Sequence, residues 1–352
     1  MPDIPPADSS PADSPLLVRT LASLRGSSAA VARDPERFRL QILLTYADGE
    51  RHSYRLDAEY FYPASTVKLA LAAASCATLQ RLAVHHPALN ARTPMRFQPL
   101  EPGDAAYDVE PRNLRTGRPD LEFCCAMSGV YSDNPAANRM FDLVGHAALH
   151  EALRDWGMEA TRINHRLSRP LPAELRRATP RVEFSMPMGS LAIEPRAGAA
   201  LLRPGAHESG MMVGTAHVVE GVRVDQPFDF SDRNMMPLAE MQALLAAIVS
   251  PRLNFGVRTP LSADHRAMLL RSHATLSRDI RRLDVDAAPE PDDAVKFGLA
   301  GVPHASTYVS KAGLAYGFVT ENAYVDIEAR RPFFLAATLF ACERGVINSD
   351  VY

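Results

Sequence analysis

No run of about 18 apolar residues occurs in this 352-residue chain, so the sequence offers no membrane-spanning helix. Neither sign of charge dominates. Lys and Arg number 38 against 41 Asp and Glu, for a formal net charge of −3. That balance leaves no electrostatic footprint for nucleic acid or an anionic membrane surface. No basic segment followed by a short apolar one stands near Met1, so no signal peptide is visible. Residues 1–15 are instead rich in Pro, Ala, Asp and Ser. They cannot supply a core and are expected to form a disordered tether. The same composition suits a chain that begins after a processed export or lipoprotein signal. Internal repeats are absent.

Cysteine is sparse too. None of Cys76, Cys124, Cys125 and Cys342 stands at a metal-ligand spacing, and the adjacent pair is a poor chelate. A disulfide between Cys76 and Cys125 is left open by the sequence, with buried free thiols as the expectation. His146 and His150, four apart on one helix face, have the spacing of a ligand pair. No glutamate lies between them and no third ligand is evident, so ordinary histidines are expected, with no metal and no cofactor. His85-His86 reads as a partner for the negative pole of a helix.

What is present is a globular composition, 47% hydrophobic and 22% charged, with ample material for a core. Helical periodicity covers 16–24 and breaks at Arg25-Gly26-Ser27-Ser28. Apolar residues alternate from Phe38 to Tyr46, Asp48-Gly49 turns, and Tyr54 and Leu56 resume, which predicts a hairpin. A helix follows from Ser65 to about Val84. Residues 86–120 lack periodicity and read as a surface segment that rims a site. Helices are expected over 121–127, from Pro135 to Leu143 or Val144, and over 147–156. The stretch 157–233 is irregular, apart from partial alternation over 211–224 that suits an inserted hairpin. Helices over 237–249 and 262–276, an acidic loop over 284–293, and strands over 306–316, 318–327 and 333–340 complete the chain.

This order predicts an α/β (α+β) two-subdomain fold: an antiparallel sheet flanked by helices, with an all-helical unit inserted between its halves. The expected division is 16–64 with 234–352 for the α/β part, 65–180 for the helical part, and 181–233 as an insertion.

Pro63-Ala64-Ser65-Thr66-Val67-Lys68 opens a helix that is apolar nearly all round, the pattern of a buried core helix. Ser65 and Lys68 lie three apart, on one face. A buried amine gives up its proton easily, and a neutral amine beside a hydroxyl is a base next to a nucleophile. Backbone N–H groups at the helix start suit a developing oxyanion. Read alone, the same residues are a helix cap and a snorkelling lysine. Ser132-Asp133-Asn134 is a second feature, able to relay a proton and hold an amide, or else a cap for the Pro135 helix. Lys311-Ala312-Gly313 is the third. Its lysine suits an anion and its glycine a close backbone approach, although a lysine on an edge strand also deters aggregation.

Taken together and in this order, Ser-x-x-Lys, Ser-Asp-Asn and Lys-x-Gly resemble the penicillin-recognising serine acyltransferases, the class A β-lactamases and DD-peptidases. The resemblance covers 16–180 and 234–345 and is greatest to class A β-lactamases. It implies a site between an α/β sandwich and an all-helical domain. It implies Ser65 as nucleophile, Lys68 as its activator or proton relay, and Ser132 as proton donor to the leaving nitrogen. It further implies Asn134 on the substrate amide and Lys68, Lys311 as substrate anchor, and an oxyanion hole from the N–H groups of Ser65 and Leu314, with Gly313 between Lys311 and Leu314. The implied partner is a small-molecule or peptide acyl donor, and the implied compartment is secreted or periplasmic. Oligomeric state is not implied.

Two departures stand out. The family's Ω-loop glutamate, which activates the water that clears the acyl-enzyme, aligns with Leu167. Glu174 and Glu159 fall outside the pattern. The usual Lys-Thr-Gly has become Lys311-Ala312-Gly313, losing a hydroxyl that binds the substrate carboxylate in the family. One missing charge-assisted hydrogen bond costs on the order of 1.5–3 kcal/mol. A long-lived acyl-enzyme and poor turnover of penicillins are therefore expected. The alternatives are a retired binding protein of the same fold, or a true class A enzyme with another deacylating base.

Overall fold

The computed structural model describes residues 12–198, 200–202, 210–292, 294–302, 307–342 and 344–349. The expected tether up to residue 11, part of the 181–233 stretch, Asp293 of the acidic loop and Ser306 lie outside them.

Two short helices, α1 (Pro15–Ser23) and α2 (Ser27–Arg33), precede the hairpin β1 (Gln41–Tyr46) and β2 (Arg51–Tyr54). The expected break at 25–28 is narrower than the sequence suggested, because Gly26 turns the chain with φ 65° and α2 starts at once. A 3₁₀ turn, Ala64–Val67, leads into α3 (Lys68–His85). Every residue from Lys68 to Leu79 is buried, because α3 is enclosed by neighbours on all sides and needs no polar face. By length and composition Ala64–His85 is apolar enough to cross a membrane, but 72% of that window is buried inside the protein, so it is the core helix.

Around α3 stand a short strand, β3 (Met95–Phe97), and the helices α4 (Leu121–Val130), α5 (Asn134–Val144) and α6 (His146–Asp155). Carboxylate caps fix two of these starts. Asp120 accepts from Phe123 N at 2.7 Å, and Asp133 accepts from Ala136 N at 2.7 Å. Farther along come β4 (Val182–Met186), β5 (Gly189–Ile193), β6 (Met212–Val213), β7 (Ala216–Val219), β8 (Val222–Val224) and β9 (Phe228–Asp229). Then follow α7 (Leu238–Val249), α8 (Ala263–Ala274), β10 (Thr307–Ser310), β11 (Gly313–Ala315), β12 (Phe318–Asp326), β13 (Phe333–Phe340) and β14 (Val346–Ile347).

The main sheet runs β10-β12-β13-β1-β2, all antiparallel, with β11 also on β12. Leu43 and Thr45 of β1 and Phe334, Ala336 and Thr338 of β13 point to its buried face. There α7 packs, and Gln242 pins it. Its side chain meets Thr45 Oγ1 at 2.5 Å, Leu43 O at 2.9 Å and Phe334 O at 3.2 Å.

Three expectations need correction. The run 306–316 is two strands, β10 and β11, split at Lys311-Ala312 but in one register on β12. The irregular stretch contains a hairpin, β4–β5, that pairs with β3. The expected 211–224 hairpin is only β7–β8, closed by Glu220-Gly221 at φ 50° and 80°, whereas β6 pairs forward with β9 and β7 runs parallel to β14. All four cysteines are free and buried, so the Cys76–Cys125 disulfide left open by the sequence is not formed.

The loop after α6 is clamped from beneath. Arg166 and Asp142 are both fully buried. Arg166 Nε donates to Asp142 Oδ1 at 2.9 Å, and its other nitrogens reach Arg176 O and Ala178 O at 3.1 and 2.7 Å. Arg139 Nη1 also donates to Asp142 Oδ2 at 3.2 Å, but removing Arg166 takes away the fully buried partner and the loop carbonyls' donor with it. Arg166→Met is expected to cost about 3–5 kcal/mol in urea-unfolding stability and to open the 166–178 loop to proteolysis. Unchanged stability would mean that the pair does not hold the loop.

Candidate active site

Ser65 lies in the 3₁₀ turn ahead of α3, half-buried, one residue after Ala64, which takes φ 49°. A left-handed alanine costs of order 1–3 kcal/mol and persists only where its surroundings enforce it. Here β11 enforces it. A Cβ on Gly313 would stand 2.6 Å from Pro63 O, 2.8 Å from Ser65 N and 3.0 Å from Ala64 Cβ. Only glycine lets the strand run that close to the Ser65 amide. Leu314, next in β11, is half-exposed at the strand edge.

The α4–α5 loop brings in the second motif. Ser132, with φ 56°, turns its side chain back toward α3. Lys68 Nζ donates to Ser132 Oγ at 3.0 Å, to Asn134 Oδ1 at 2.7 Å and to Ser132 O. From the sheet, Lys311 Nζ donates to the same Ser132 Oγ at 2.9 Å and to Ala312 O at 2.8 Å. One hydroxyl is thus held between two buried amines. Among the described residues no hydrogen bond joins Lys68 to Ser65 Oγ, so in this resting arrangement the amine is tied to Ser132 and Asn134.

Burial lowers the Lys68 ammonium to about 7, with the nearby Asp133 charge opposing the shift. Lys311 is pushed well below its ordinary value, first by burial and then by the charges of Lys68 and Lys296, while Glu321 acts the other way. At neutral pH Lys68 therefore spends a large share of its time as a free base.

The loop below the site ends in an apolar residue. Asn138 brackets Leu167, donating to its carbonyl at 2.9 Å and accepting from its N–H at 2.8 Å. Leu167 is buried, and the next residue, Ser168, accepts from Asn134 Nδ2 at 2.9 Å. Glu174 is exposed, with its carbonyl against Gly198. At the mouth, Arg169 ties this loop to the 86–120 segment by a 2.6 Å contact with Asp104. Aromatic rings buttress the other wall. Tyr316, after β11, meets Tyr62 edge-on at 5.0 Å and Phe228 of β9 at 5.3 Å. Phe228 of the 181–233 stretch therefore packs behind the Ser65 turn, a role with no signal in its sequence.

The histidine pair has a structural use. His150 Nδ1 meets His146 O at 2.7 Å, and its Nε2 accepts from Ile163 N at 2.9 Å, so both ring nitrogens are engaged.

Residues 29–203 match the model of the β-lactamase enzyme family. The fold is that of class A β-lactamases. A β-lactamase from Desulfarculus baarsii superposes with a TM-score of 0.53 at 21% identity, over 94% of this chain and 90% of that one. One from Burkholderia vietnamiensis gives 0.52 at 18%, over 91% and 89%. A variant of the class A enzyme of the last common ancestor of Gram-negative bacteria gives 0.51 at 22%, over 89% and 88%. Over residues 29–203 the chain is similar to serine β-lactamase-like proteins. No curated protein matches it.

If Ser65 is the residue that is acylated, the pH dependence of its acylation follows from Lys68. If the free amine is the working base, acylation falls about tenfold for each pH unit below 7. Stopped-flow acylation by an activated ester across pH 5–8 measures this, and a flat profile would remove Lys68 as the base. Gly313→Ala is expected to lower the acylation rate by at least about a hundredfold, since a misplacement of about 1 Å near the chemistry costs that much.

Proposed function

We propose that this protein is a serine hydrolase or acyltransferase that works through a Ser65 acyl-enzyme on an amide, ester or β-lactam and clears that intermediate slowly. The observation that carries the reading is the Ser132 hydroxyl held between the Lys68 and Lys311 amines beside the Ser65 turn. In the proposed acylation, Ser65 Oγ attacks the acyl carbon and its proton passes to neutral Lys68. The Ser65 and Leu314 N–H groups receive the developing oxyanion. Collapse breaks the bond to the leaving nitrogen or oxygen. Ser132 gives that atom its proton and is resupplied from Lys68, while Lys311 stabilises the charge on Ser132 and Asn134 orients the substrate amide.

Deacylation needs a base to take a proton from water. Leu167, held in place by Asn138, offers an isobutyl group there. Ala312 likewise offers no hydroxyl to a substrate carboxylate, which supports uncharged acyl donors over penicillins. The family resemblance supports a secreted or periplasmic setting.

Intact-protein mass spectrometry after brief and long exposure to a chromogenic cephalosporin and to an activated ester tests the reading. The expected result is a long-lived adduct that Ser65→Ala abolishes. Leu167→Glu is expected to shorten the adduct lifetime by about a hundredfold, the low end of what a positioned general base contributes. Rapid turnover without an adduct would mean that another base serves deacylation. No adduct with any probe would favour a binding protein of the same fold.

A further inference from the structure

Leu167 brings no carboxylate to the site, but the residue after it reaches in. Ser168 is exposed and takes φ 49°, a left-handed backbone that a serine keeps only where its surroundings enforce it. Both neighbours enforce it here. Asn138 brackets Leu167 through its N–H and its carbonyl, at 2.8 and 2.9 Å. Arg169 Nη2 reaches Asp104 Oδ2 at 2.6 Å and Glu101 Oε2 at 3.8 Å. Asp104 Oδ2 is itself fixed by the N–H groups of Leu100 and Glu101, at 3.2 and 3.1 Å. Ser168 Oγ therefore stands at a set place, where it accepts from Asn134 Nδ2 at 2.9 Å. The other end of that amide, Oδ1, accepts from Lys68 Nζ at 2.7 Å.

We propose that Ser168 is a positioning residue that holds the Asn134 amide in the orientation that binds a second carbonyl group on the acyl donor. The inference deepens the Ser65 acyl-enzyme reading and rests on it for its effect on rate. A primary amide is planar, with one acceptor atom and two N–H groups. With Oδ1 on Lys68 and one N–H on Ser168, both ends of the plane are fixed. The amide does not turn over, since its N–H groups would then face those of Lys68, donor against donor. The second N–H of Nδ2 meets no acceptor among the described residues, so it is the one left for a substrate. Without Ser168 the amide pivots about its bond to Lys68, and the direction of that N–H is lost. The donor class this favours carries an acylamino group beside the acyl carbon, as an ester or thioester of an N-acylated amino acid does. A plain acyl chain has nothing for Asn134 to hold.

Phenyl thioesters of N-acetylglycine and of pentanoic acid test this. Their acyl chains are equally long and differ by an amide in place of two methylenes. Intact-protein mass spectrometry over time gives the acylation rate for each. Ser168→Gly removes the hydroxyl and suits a left-handed backbone. It is expected to lower the acetylglycyl rate relative to the pentanoyl rate by about three- to tenfold, the worth of one neutral hydrogen bond. Ser168→Ala is expected to do the same, and it decides if the glycine variant does not fold. A merely structural role would slow both donors alike, so equal slowing would overturn the proposal, as would an unchanged or raised ratio. If neither donor acylates the unsubstituted protein, the Ser65 reading falls alone. Ser168 is then judged by NMR titration with N-acetylglycinamide and pentanamide, followed on the Asn134 side-chain N–H resonances. The same loss of preference in the variants would support the positioning role, and its absence would overturn it.

Discussion

The structure turns on one hydroxyl held by two buried amines. Ser132 Oγ accepts from Lys68 on the core helix and from Lys311 on the sheet, so a single loop residue joins the helical and the sheet sides of the molecule. Two ammonium groups cannot both be buried at no cost, since desolvation and mutual repulsion each penalise charge. Release of a proton is the cheapest relief, and Lys68, lowered to about 7, is poised to provide it. The electrostatic cost of the arrangement is therefore also its chemical potential.

Holding that geometry requires backbone that would not choose it. Ala64 and Ser132 both take positive φ, at 49° and 56°. Each is enforced by a neighbour rather than by its own preference. Gly313 brings β11 against the Ala64-Ser65 backbone, and Lys68 and Lys311 draw in the Ser132 side chain. The supporting clamps lie one step farther out. Asn138 fixes Leu167, the Arg166–Asp142 pair fixes the loop that carries it, and the Tyr62–Tyr316–Phe228 rings brace the opposite wall. A site strained at two points thus depends on polar pins and aromatic packing contributed by distant parts of the chain.

Much of this was legible in the residue order, and the failures have physical causes. β1 and β13 were visible because their burial alternates with the period of a strand, and α5 because Pro135 sits in its first turn. Helix α2 was missed because seven residues without a side-chain cap give almost no periodic signal. Hairpin β4–β5 was missed because Pro187 and Met188 at its tip read as irregular chain, and because its pairing with β3 lies far away in sequence. The 3₁₀ turn at Ser65 replaced an expected helical start because the close approach of β11 dictates the backbone there.

The sequence alone determined which reactive groups exist and roughly on which elements they sit. Ser65 and Lys68 are near neighbours along the chain, and local spacing governs helix faces and turns. It also determined that no carboxylate occupies position 167 and no hydroxyl position 312. Only the tertiary structure decided that Lys68 is bound to Ser132 rather than to Ser65, and that Lys311 donates to the same hydroxyl. Proton affinity in a buried site is set by every charge within a few ångströms. The two amines on Ser132 come from α3 and from the junction of β10 and β11, which lie close together only once the chain is folded.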